Sequence, residues 1–322
     1  MYFFQVNNLK TKKSIFYDKY NNLISEIPEH IKKIPLGFPK GILYDPPRKN
    51  VYAIAVDSKN RRQYFYVPKY KERKRLDKFS NNETVIYDSV KVLNSALKKI
   101  RYQKIKDVDY LIAFVIMIMA NCNFRVGNEK YEKLYNTYGA INFKIDSVKY
   151  KNKEFVIKFI GKKGEENKCF INQKNNLYKT MKENYICKKK DKSFFDKPFI
   201  SYKDENTGEI ITLKYNDVYS YFKKNNIRPK DIRMIQANII FLSILKENQE
   251  TIPEKEGEYK RWLKGLYEIT ADKMNNTPTV CKKEYVHPKF NKKNIRSMKL
   301  LLSQLNKSDD LYNFLEYHIK HG

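Results

Sequence analysis

A tyrosine close to the C-terminus stands in a setting that could support attack on a phosphodiester bond. Tyr285 ends a basic run in the stretch NNTPTVCKKEYVHP, which follows a segment with helical periodicity. A phenol with a pKa near 10 is a weak nucleophile at neutral pH unless nearby charges stabilise its anion. The chemistry therefore needs cations that hold a phosphate beside Tyr285. The chain has 26 tyrosines, and a tyrosine taken at random is structural far more often than catalytic.

Three basic residues, far apart in the sequence, could supply those cations. Arg125 follows a long apolar run, and Lys162 lies in a polar turn between two strand-like segments. Arg233 lies in the first turn of a helix whose start is marked by Pro229 and Asp231. A rigid guanidinium matches the two non-bridging oxygens of a phosphate, and a lysine on a hairpin tip could reach into a DNA groove. Each residue also has an ordinary explanation as a solvated surface side chain.

The charge of the chain indicates a polyanionic partner. Its 322 residues include 65 Lys and Arg against 36 Asp and Glu, a net charge of +29. This excess favours nucleic acid first and an acidic membrane surface second. We see no basic amphipathic anchor and no lipidation signal, and the longest apolar run, residues 111–120, is too short to span a bilayer. We therefore expect duplex DNA as the partner and no membrane association.

Cysteine and histidine are too scattered to suggest a metal site or a disulfide framework. The four cysteines, Cys122, Cys169, Cys187 and Cys281, include no C-x-x-C pair, and the four histidines show no H-x-x-x-H spacing. We expect no metal ligands and no cofactor. The N-terminal residues lack the features of a secretory signal, and a reducing intracellular compartment fits the cysteine usage.

The first 75 or so residues show strand and turn patterns, and the remainder is mainly helical. Residues 51–68 place β-branched and aromatic runs on both sides of the polar sequence DSKN, which predicts a hairpin. The sequence Asp45-Pro46-Pro47 predicts a turn before it. The charged residues 69–83 separate the strand-rich part of the sequence from the helical part. We therefore expect a β-rich domain over residues 1–76 and a second domain over residues 77–322.

Apolar periodicity predicts the main helices of the second domain. Residues 111–120 predict a buried core helix, and residues 230–248 and 293–305 each carry one apolar stripe. A strand–turn–strand pattern over residues 154–172 interrupts these helices. The expected fold class is therefore α+β.

Several short motifs occur in a fixed order along the chain. They are FRVGNEKY around Arg125, FIGKK around Lys162, PKDIR ending at Arg233 and NTPTVCKKEYVHP around Tyr285. In this order they resemble the motifs of type IB DNA topoisomerases, especially the compact poxvirus and bacterial branch. DSKNRRQYFY at residues 57–66, with IPLGFPKGILYD before it, resembles the N-terminal domain of that branch. The resemblance runs over nearly the whole chain, and the motifs are specific together although each is weak alone.

The resemblance implies a role for each residue of the set. Tyr285 would attack the scissile phosphodiester and leave a 3′-phosphotyrosyl link and a free 5′-hydroxyl. Arg125 and Arg233 would hold the phosphate and stabilise its negative transition state. The new ester would conserve the energy of the broken one, so religation would need no ATP, and the chain contains no GxxxxGK[ST] loop.

Two further assignments follow from motif positions. Lys162 rather than Lys163 would donate a proton to the leaving 5′-oxygen, because Lys162 directly follows the glycine of its motif. Asn276 stands where poxvirus and eukaryotic enzymes have histidine, as in the bacterial branch. Asparagine can donate a hydrogen bond to phosphate but cannot carry the imidazolium charge.

The resemblance also implies DNA contacts outside the catalytic set. Arginine and glutamine can bind base edges or phosphates in the major groove, and strand alternation would place Arg62, Tyr64 and Tyr66 on one face. The expected contacts are Arg61, Arg62, Gln63, Tyr64 and Tyr66 on the hairpin, Lys130 and Tyr131 after Arg125, and Lys230 before Arg233.

The expected protein is thus a monomer with a small β-rich N-terminal DNA-binding domain and a larger, mostly α-helical catalytic domain with a short β-hairpin, together clamping duplex DNA. It would relax supercoils by single-strand cleavage, strand rotation and religation, without ATP or metal. The motif Asp107-Val108-Asp109 resembles the D-x-D of metal-dependent topoisomerases, but the apolar helix that follows favours a capping role.

Two alternatives belong to other functional classes. A tyrosine recombinase shares the catalytic chemistry but typically has H-x-x-R, whereas this chain has Lys230-x-x-Arg233. A non-catalytic DNA-binding protein would explain the charge, but it would have no reason to keep all four catalytic positions in order.

Overall fold

The computed structural model divides into two compact units, residues 1–80 and residues 81–322. It describes residues 2–8, 13–25, 38–58, 60–80, 82–103 and 106–321. The fold is α+β, as expected, with one larger sheet in the first unit and mostly helices in the second. The boundary expected after residue 76 falls inside the helix that ends the first unit, because the charged stretch there is helical.

The first unit is an antiparallel sheet of six strands followed by one helix. The strands are β1 (Tyr2–Asn8), β2 (Lys13–Tyr17), β3 (Leu23–Ile24), β4 (Lys40–Arg48), β5 (Val51–Val56) and β6 (Arg62–Tyr66), and the helix is α1 (Pro68–Ser80). They lie in the order β3-β2-β1-β4-β5-β6. Leu43, Ala53 and Ala55 form a small buried core, covered by Phe38 and Phe65.

The hairpin predicted over residues 51–68 is confirmed as β5 and β6. Asp57 organises the connection, because its carboxylate accepts hydrogen bonds from the backbone and side chain of Arg61 and from the side chain of Gln63. A carboxylate that binds three local donors fixes the turn that joins the two strands.

The turn predicted at Asp45-Pro46-Pro47 is wrong. These residues lie within β4, whose pairing with β5 shifts register between Leu43 and Arg48. A proline lacks the N–H that a regular ladder needs, so it is accommodated where the ladder is interrupted. Residues 34–37, the first part of the segment that precedes the hairpin motif, lie outside the described residues.

The second unit is mainly helical and is built around a buried helix. Its helices are α2 (Asn82–Tyr102), α3 (Val108–Cys122), α4 (Glu129–Tyr135), α5 (Tyr178–Lys190), α6 (Tyr215–Lys224), α7 (Pro229–Glu247), α8 (Glu256–Lys273), α9 (Pro278–Val280), α10 (Ile295–Leu305) and α11 (Leu311–His321). All of residues 110–120 in α3 are buried, which confirms the predicted core helix. The helices predicted over residues 230–248 and 293–305 are α7 and α10.

Asp107 caps α3, as expected from the D-x-D sequence. Its carboxylate accepts a hydrogen bond from the backbone N–H of Tyr110 at 2.6 Å, while Asp109 pairs with Lys99 at 2.9 Å. Both carboxylates are therefore engaged in structural contacts. In the part of the chain that the structure describes, no helix is long and apolar enough to cross a membrane.

Two small sheets interrupt the helices. One joins β7 (Val148–Lys151), β8 (Glu154–Ile160) and β9 (Glu166–Asn172), and the other joins β10 (Ser201–Lys203) and β11 (Ile210–Thr212). The pair β8 and β9 confirms the strand–turn–strand prediction, and β7 is an additional strand that the sequence pattern did not reveal.

A disulfide joins Cys122 to Cys169, so the expectation that the cysteines form no disulfide is wrong. The two residues are 47 positions apart, at the C-terminal end of α3 and in β9. Folding alone brings them together, and inspection of short Cys spacings cannot find such a pair. Cys187 and Cys281 are free thiols.

Candidate active site

Arg233 is the centre of a buried, hydrogen-bonded cluster. The first turn of α7 is fixed because Asp231 accepts a hydrogen bond from the backbone N–H of Arg228 at 2.8 Å. Arg233 is only 3% exposed. Its Nε donates to the carbonyl of Asn123 at 2.9 Å, and its Nη2 donates to the carbonyl of Met274 at 3.1 Å. These two bonds fix the plane of the guanidinium.

The remaining guanidinium nitrogen binds the candidate nucleophile. Nη1 of Arg233 donates to the phenol oxygen of Tyr285 at 3.0 Å, and the guanidinium carbon lies 5.2 Å from the centre of the Tyr285 ring. Tyr285 ends a π-helical turn, Cys281–Tyr285, and is 6% exposed. Such turns are frequent at functional sites. The geometry places a cation where negative charge on the phenol oxygen would develop.

The pKa of Arg233 is lowered to about 10, mainly because the side chain is buried and in smaller part because of the positive charge of Arg125, whereas Tyr285 opposes the shift. Two like charges that interact in this way are unfavourable by themselves. A phosphate placed between them would relieve that repulsion.

The segment that carries Arg125 is held tightly to the rest of the unit. The carbonyl of Arg125 accepts a hydrogen bond from the N–H of Ala140 at 2.8 Å. Gly127, at φ +91°, and Gly139 pass so closely that a Cβ added to Gly139 would lie 2.4 Å from the Gly127 nitrogen. Both positions therefore require glycine. The Arg125 side chain is half-buried on a backbone that two glycines allow to pack closely.

Asn276 joins the cluster through a shared acceptor. Its side-chain nitrogen donates to the carbonyl of Met274 at 3.1 Å, and the same carbonyl accepts the bond from Arg233. Its backbone N–H donates to the carbonyl of Ala271 at 2.9 Å, which fixes the residue at the end of α8. Asn276 is half-buried and has a second donor hydrogen that a phosphate oxygen could accept.

Lys162 lies at the tip of the hairpin formed by β8 and β9, with its side chain exposed. The tip is rigid, because the Gly161 N–H donates to the carbonyl of Glu165 at 2.8 Å and a Cβ added to Gly161 would lie 2.1 Å from Nδ2 of Asn167. Lys163 follows with a φ of 70°. The structure thus gives the two lysines different backbone conformations at the same tip.

Comparison with known proteins identifies the family. The profile of eukaryotic DNA topoisomerase I, catalytic core, matches residues 69–310. The chain belongs to this family. DNA topoisomerase 1B of Acanthamoeba polyphaga mimivirus is 24% identical over 284 residues, which cover 84% of this chain and 81% of that protein. DNA topoisomerase 1B of vaccinia virus (strain Copenhagen) is 27% identical over 274 residues, which cover 83% of this chain and 80% of that protein.

These relatives place the enzyme among the type IB topoisomerases, in the poxvirus-like branch. A solved structure of the XerH site-specific recombinase bound to palindromic difH substrate is 15% identical, with a TM-score of 0.35, over 61% of this chain and 47% of that chain. That likeness is too weak to carry an argument. The family match therefore favours a topoisomerase over the recombinase alternative.

Lys230 lies near the ring of Tyr285 and is exposed to solvent. Its Nζ is 5.5 Å from the centre of the Tyr285 ring and 3.2 Å from a carboxylate oxygen of Glu284. The side chains of Lys230 and Glu284 are 44% and 46% exposed. A solvent-accessible cation thus lies beside Tyr285, paired with the carboxylate of the preceding residue.

Asn238 holds the backbone beside the candidate nucleophile, and the sequence patterns did not reveal it. It is 1% exposed, and its side chain donates to the carbonyl of Tyr285 at 3.0 Å and accepts from the N–H of His287 at 2.8 Å. One carboxamide therefore holds the backbone on both sides of Val286. The only available signal was a poor helix former, asparagine, in the middle of a predicted helix.

The predicted contacts next to Arg125 lie on the short helix α4. Asn128 caps this helix by accepting a hydrogen bond from the N–H of Lys130 at 2.8 Å. Lys130 is exposed, and Tyr131 is 57% exposed and stacks on Tyr135 with 6.0 Å between ring centres. Exposed, stacked aromatic rings next to a lysine can contact a nucleic acid backbone and sugar.

The predicted contacts in the first unit divide into two groups. Arg61 and Gln63 bind the Asp57 carboxylate, so their polar groups already contribute to the turn. Arg62 is exposed and Tyr64 is 49% exposed, which agrees with their expected position on one face of β6. Tyr66 lies 5.4 Å from the ring of Tyr70. Arg62 and Tyr64 are the hairpin residues best placed to meet a ligand.

Proposed function

We propose that the enzyme relaxes supercoiled duplex DNA with Tyr285 as its nucleophile. The observation that carries the proposal is the 3.0 Å hydrogen bond from Nη1 of Arg233 to the phenol oxygen of Tyr285. The chain has 26 tyrosines, and this one combines the motif position with a buried cation at its oxygen. A phenol becomes an effective nucleophile when a neighbouring cation stabilises its developing charge.

The chemical steps follow from these positions. The Tyr285 oxygen gives its proton to solvent water and attacks phosphorus, so that a bond from the tyrosine oxygen to phosphorus forms and the bond to the 5′-oxygen breaks. Lys162 donates the proton that the leaving 5′-oxygen takes up. Arg125, Arg233 and Asn276 bind the non-bridging oxygens while their charge increases. The 5′-hydroxyl then attacks the phosphotyrosine after strand rotation, which reverses each transfer.

The ester exchange needs neither ATP nor a metal ion. The phosphotyrosyl ester replaces the phosphodiester at similar energy, and cationic side chains bind the phosphate. In the described part of the chain, no three His, Cys, Asp or Glu side chains lie together as metal ligands would. We therefore expect relaxation of a supercoiled plasmid to proceed in EDTA without nucleotide, and complete dependence on added Mg²⁺ would contradict the proposal.

Both units contribute contacts to one DNA duplex in this proposal, and the enzyme acts as a monomer. The candidate contacts are Arg62 and Tyr64 in the first unit and Lys130, Tyr131 and Lys230 in the second. Each phosphate that a lysine or arginine neutralises releases roughly 0.9 counterions, so affinity should fall steeply with salt. The excess of 65 basic over 36 acidic residues supports such a dependence.

The central test is the variant Tyr285→Phe. It should bind duplex DNA like the unmodified enzyme but form no covalent adduct, because the change removes the phenol oxygen alone. The matched control is Tyr102→Phe, since Tyr102 is 76% exposed and belongs to α2. Denaturing gels of end-labelled DNA detect the adduct. An adduct formed by Tyr285→Phe would place the nucleophile elsewhere.

A further inference from the structure

A carboxylate beside the proposed phosphate site has no role in the steps described above. Glu284 immediately precedes the nucleophile, and one of its carboxylate oxygens lies 3.2 Å from Nζ of Lys230. The same Nζ lies 5.5 Å from the centre of the Tyr285 ring. A cation proposed to contact DNA is thus paired with an anion of the same chain.

The pair has the strength expected of a reversible contact. Its two side chains are 44% and 46% exposed, so water screens the attraction and the Coulomb gain is small. Arg228 and Asp231, which flank Lys230 in the same turn, form a different kind of pair, because the Asp231 side chain is only 2% exposed and also accepts a backbone hydrogen bond. That pair holds the start of α7, whereas the pair of Lys230 and Glu284 can open without exposing a buried group.

We propose that Glu284 is a positioning residue that occupies Lys230 until a DNA phosphate replaces it. The carboxylate holds the ammonium over the Tyr285 ring in the free enzyme. When duplex DNA enters, a phosphate oxygen takes the place of the carboxylate oxygen, and Glu284 turns to solvent. The inference depends on the proposed function, because it assumes that Lys230 meets DNA.

The exchange lowers DNA affinity and thereby limits the non-specific binding of a chain with a net charge of +29. Lys230 must lose its internal partner before it gains a phosphate, so binding is weaker by the strength of the pair. An exposed ion pair of this kind contributes between a few tenths and about 1 kcal/mol, which corresponds to an affinity factor of about two to five. Salt that screens the pair reduces this factor.

The test is a double-mutant cycle on Glu284 and Lys230. Dissociation constants for a short duplex are measured by fluorescence anisotropy in the Tyr285→Phe background, which keeps the aromatic ring and prevents covalent trapping. The variants are Glu284→Gln, Lys230→Met and the two combined. Glu268→Gln is the matched control, because it also removes one negative charge from an exposed Lys–Glu pair, that with Lys264 at 3.3 Å.

We expect Glu284→Gln to increase the affinity for DNA. The increase should be about two- to fivefold larger in the chain that keeps Lys230 than in the chain that carries Lys230→Met. The effect of Glu268→Gln on DNA affinity should be the same with lysine or methionine at position 230. At high salt, the difference between the two backgrounds in the effect of Glu284→Gln should become smaller. Equal tightening in both backgrounds would mean that Glu284 repels DNA only through its charge and would overturn the proposal. Weaker or unchanged binding by Glu284→Gln would also overturn it. Covalent adduct formation is measured separately with the enzyme that keeps Tyr285. An incorrect assignment of the nucleophile can therefore be told apart from an incorrect assignment of the Glu284 exchange.

Discussion

The substitution Arg233→Lys tests whether the fixed guanidinium, rather than its charge alone, makes the site. Lysine keeps the positive charge but is a point donor on a flexible stem. The guanidinium donates to Asn123, Tyr285 and Met274 at 2.9, 3.0 and 3.1 Å in three directions. A single ammonium at this position can keep one of the three bonds with good geometry.

The expected cost follows from the bonds that are lost. A hydrogen bond that involves a charged group contributes about 1.5–3 kcal/mol, so the loss of two bonds at a residue that is 3% exposed should cost roughly 3 kcal/mol or more in the free energy of unfolding. For a unit that spans residues 81–322, each kcal/mol lowers the melting temperature by about 2–4 °C. We therefore expect a decrease of about 6–12 °C. Single-turnover cleavage should slow by about 10²- to 10³-fold, as when one oriented transition-state donor is removed.

Two measurements separate the contributions of Arg233. Thermal melting by circular dichroism gives the stability, and single-turnover cleavage of a labelled duplex well below the melting temperature gives the chemistry. Arg228→Lys is the control, because the Arg228 side chain is 62% exposed and pairs with Asp231 in the first turn of the same helix. A variant Arg233→Lys that melted within about 2 °C of the unmodified enzyme and cleaved within about threefold of its rate would refute the assigned geometry.

Three further outcomes are expected. Lys162→Ala should be severely slow on ordinary DNA and largely rescued by sulfur at the 5′-bridging position, because a thiolate with a parent pKa of about 8.5 leaves without a proton, whereas Lys163→Ala should be nearly normal on both substrates. Asn276→Ala should slow single-turnover cleavage about a hundredfold, while Asn276→His should be tolerated because imidazole also donates to phosphate. Burial, assisted by two nearby lysines, lowers the pKa of His318 to about 4. In the unfolded chain the histidine pKa is about 6.5, so as the pH falls the unfolded chain binds a proton before the folded protein does. The contribution of neutral His318 to the free energy of unfolding should therefore be complete above pH 6.5 and be lost as the pH falls towards 4. The variant His318→Phe should show a smaller loss of stability over this range.

Each of these outcomes has a result that would contradict it. Equal impairment of Lys162→Ala on oxygen and sulfur substrates would make Lys162 a binding residue, and rescue of Lys163→Ala instead would shift the assignment by one position. Unchanged cleavage by Asn276→Ala would remove Asn276 from the site. Urea unfolding curves that show the same pH dependence with histidine or phenylalanine at position 318 would exclude the proton uptake assigned to His318.

The sequence predicted correctly those strands and helices whose residues show a clear alternation or a long apolar run. The alternation in residues 51–68 and the apolar run of residues 111–120 are direct consequences of which faces are buried, so the β5–β6 hairpin and α3 were both found. The turn at Asp45-Pro46-Pro47 was wrong because prolines mark both turns and interrupted strands. Strand β7 was missed because its buried face contributes only Val148.

The residues of the candidate site were chosen from motif positions, whereas their contacts could not be predicted from the sequence. Arg233 was expected in the first turn of a helix as a phosphate-binding residue, but its burial and its hydrogen bonds to the carbonyls of Asn123 and Met274 were not predicted. Backbone carbonyls leave no trace in side-chain patterns, and their positions depend on how three separate segments pack. Asn238 was missed for the same reason, since its three partners, at Met234, Tyr285 and His287, are main-chain groups.

The disulfide has a consequence for the chain when it is not folded. Cys122 and Cys169 are 47 positions apart, and the ring that they close contains both Arg125 and Lys162. In the chain-entropy description, a ring of this size removes about 4 kcal/mol of conformational entropy from the unfolded ensemble at 25 °C. A reductant would therefore leave the native contacts of Arg125 and Lys162 in place while increasing the number of unfolded conformations that compete with the folded state. The oxidised and reduced chains would share one active site and differ in how often it is assembled.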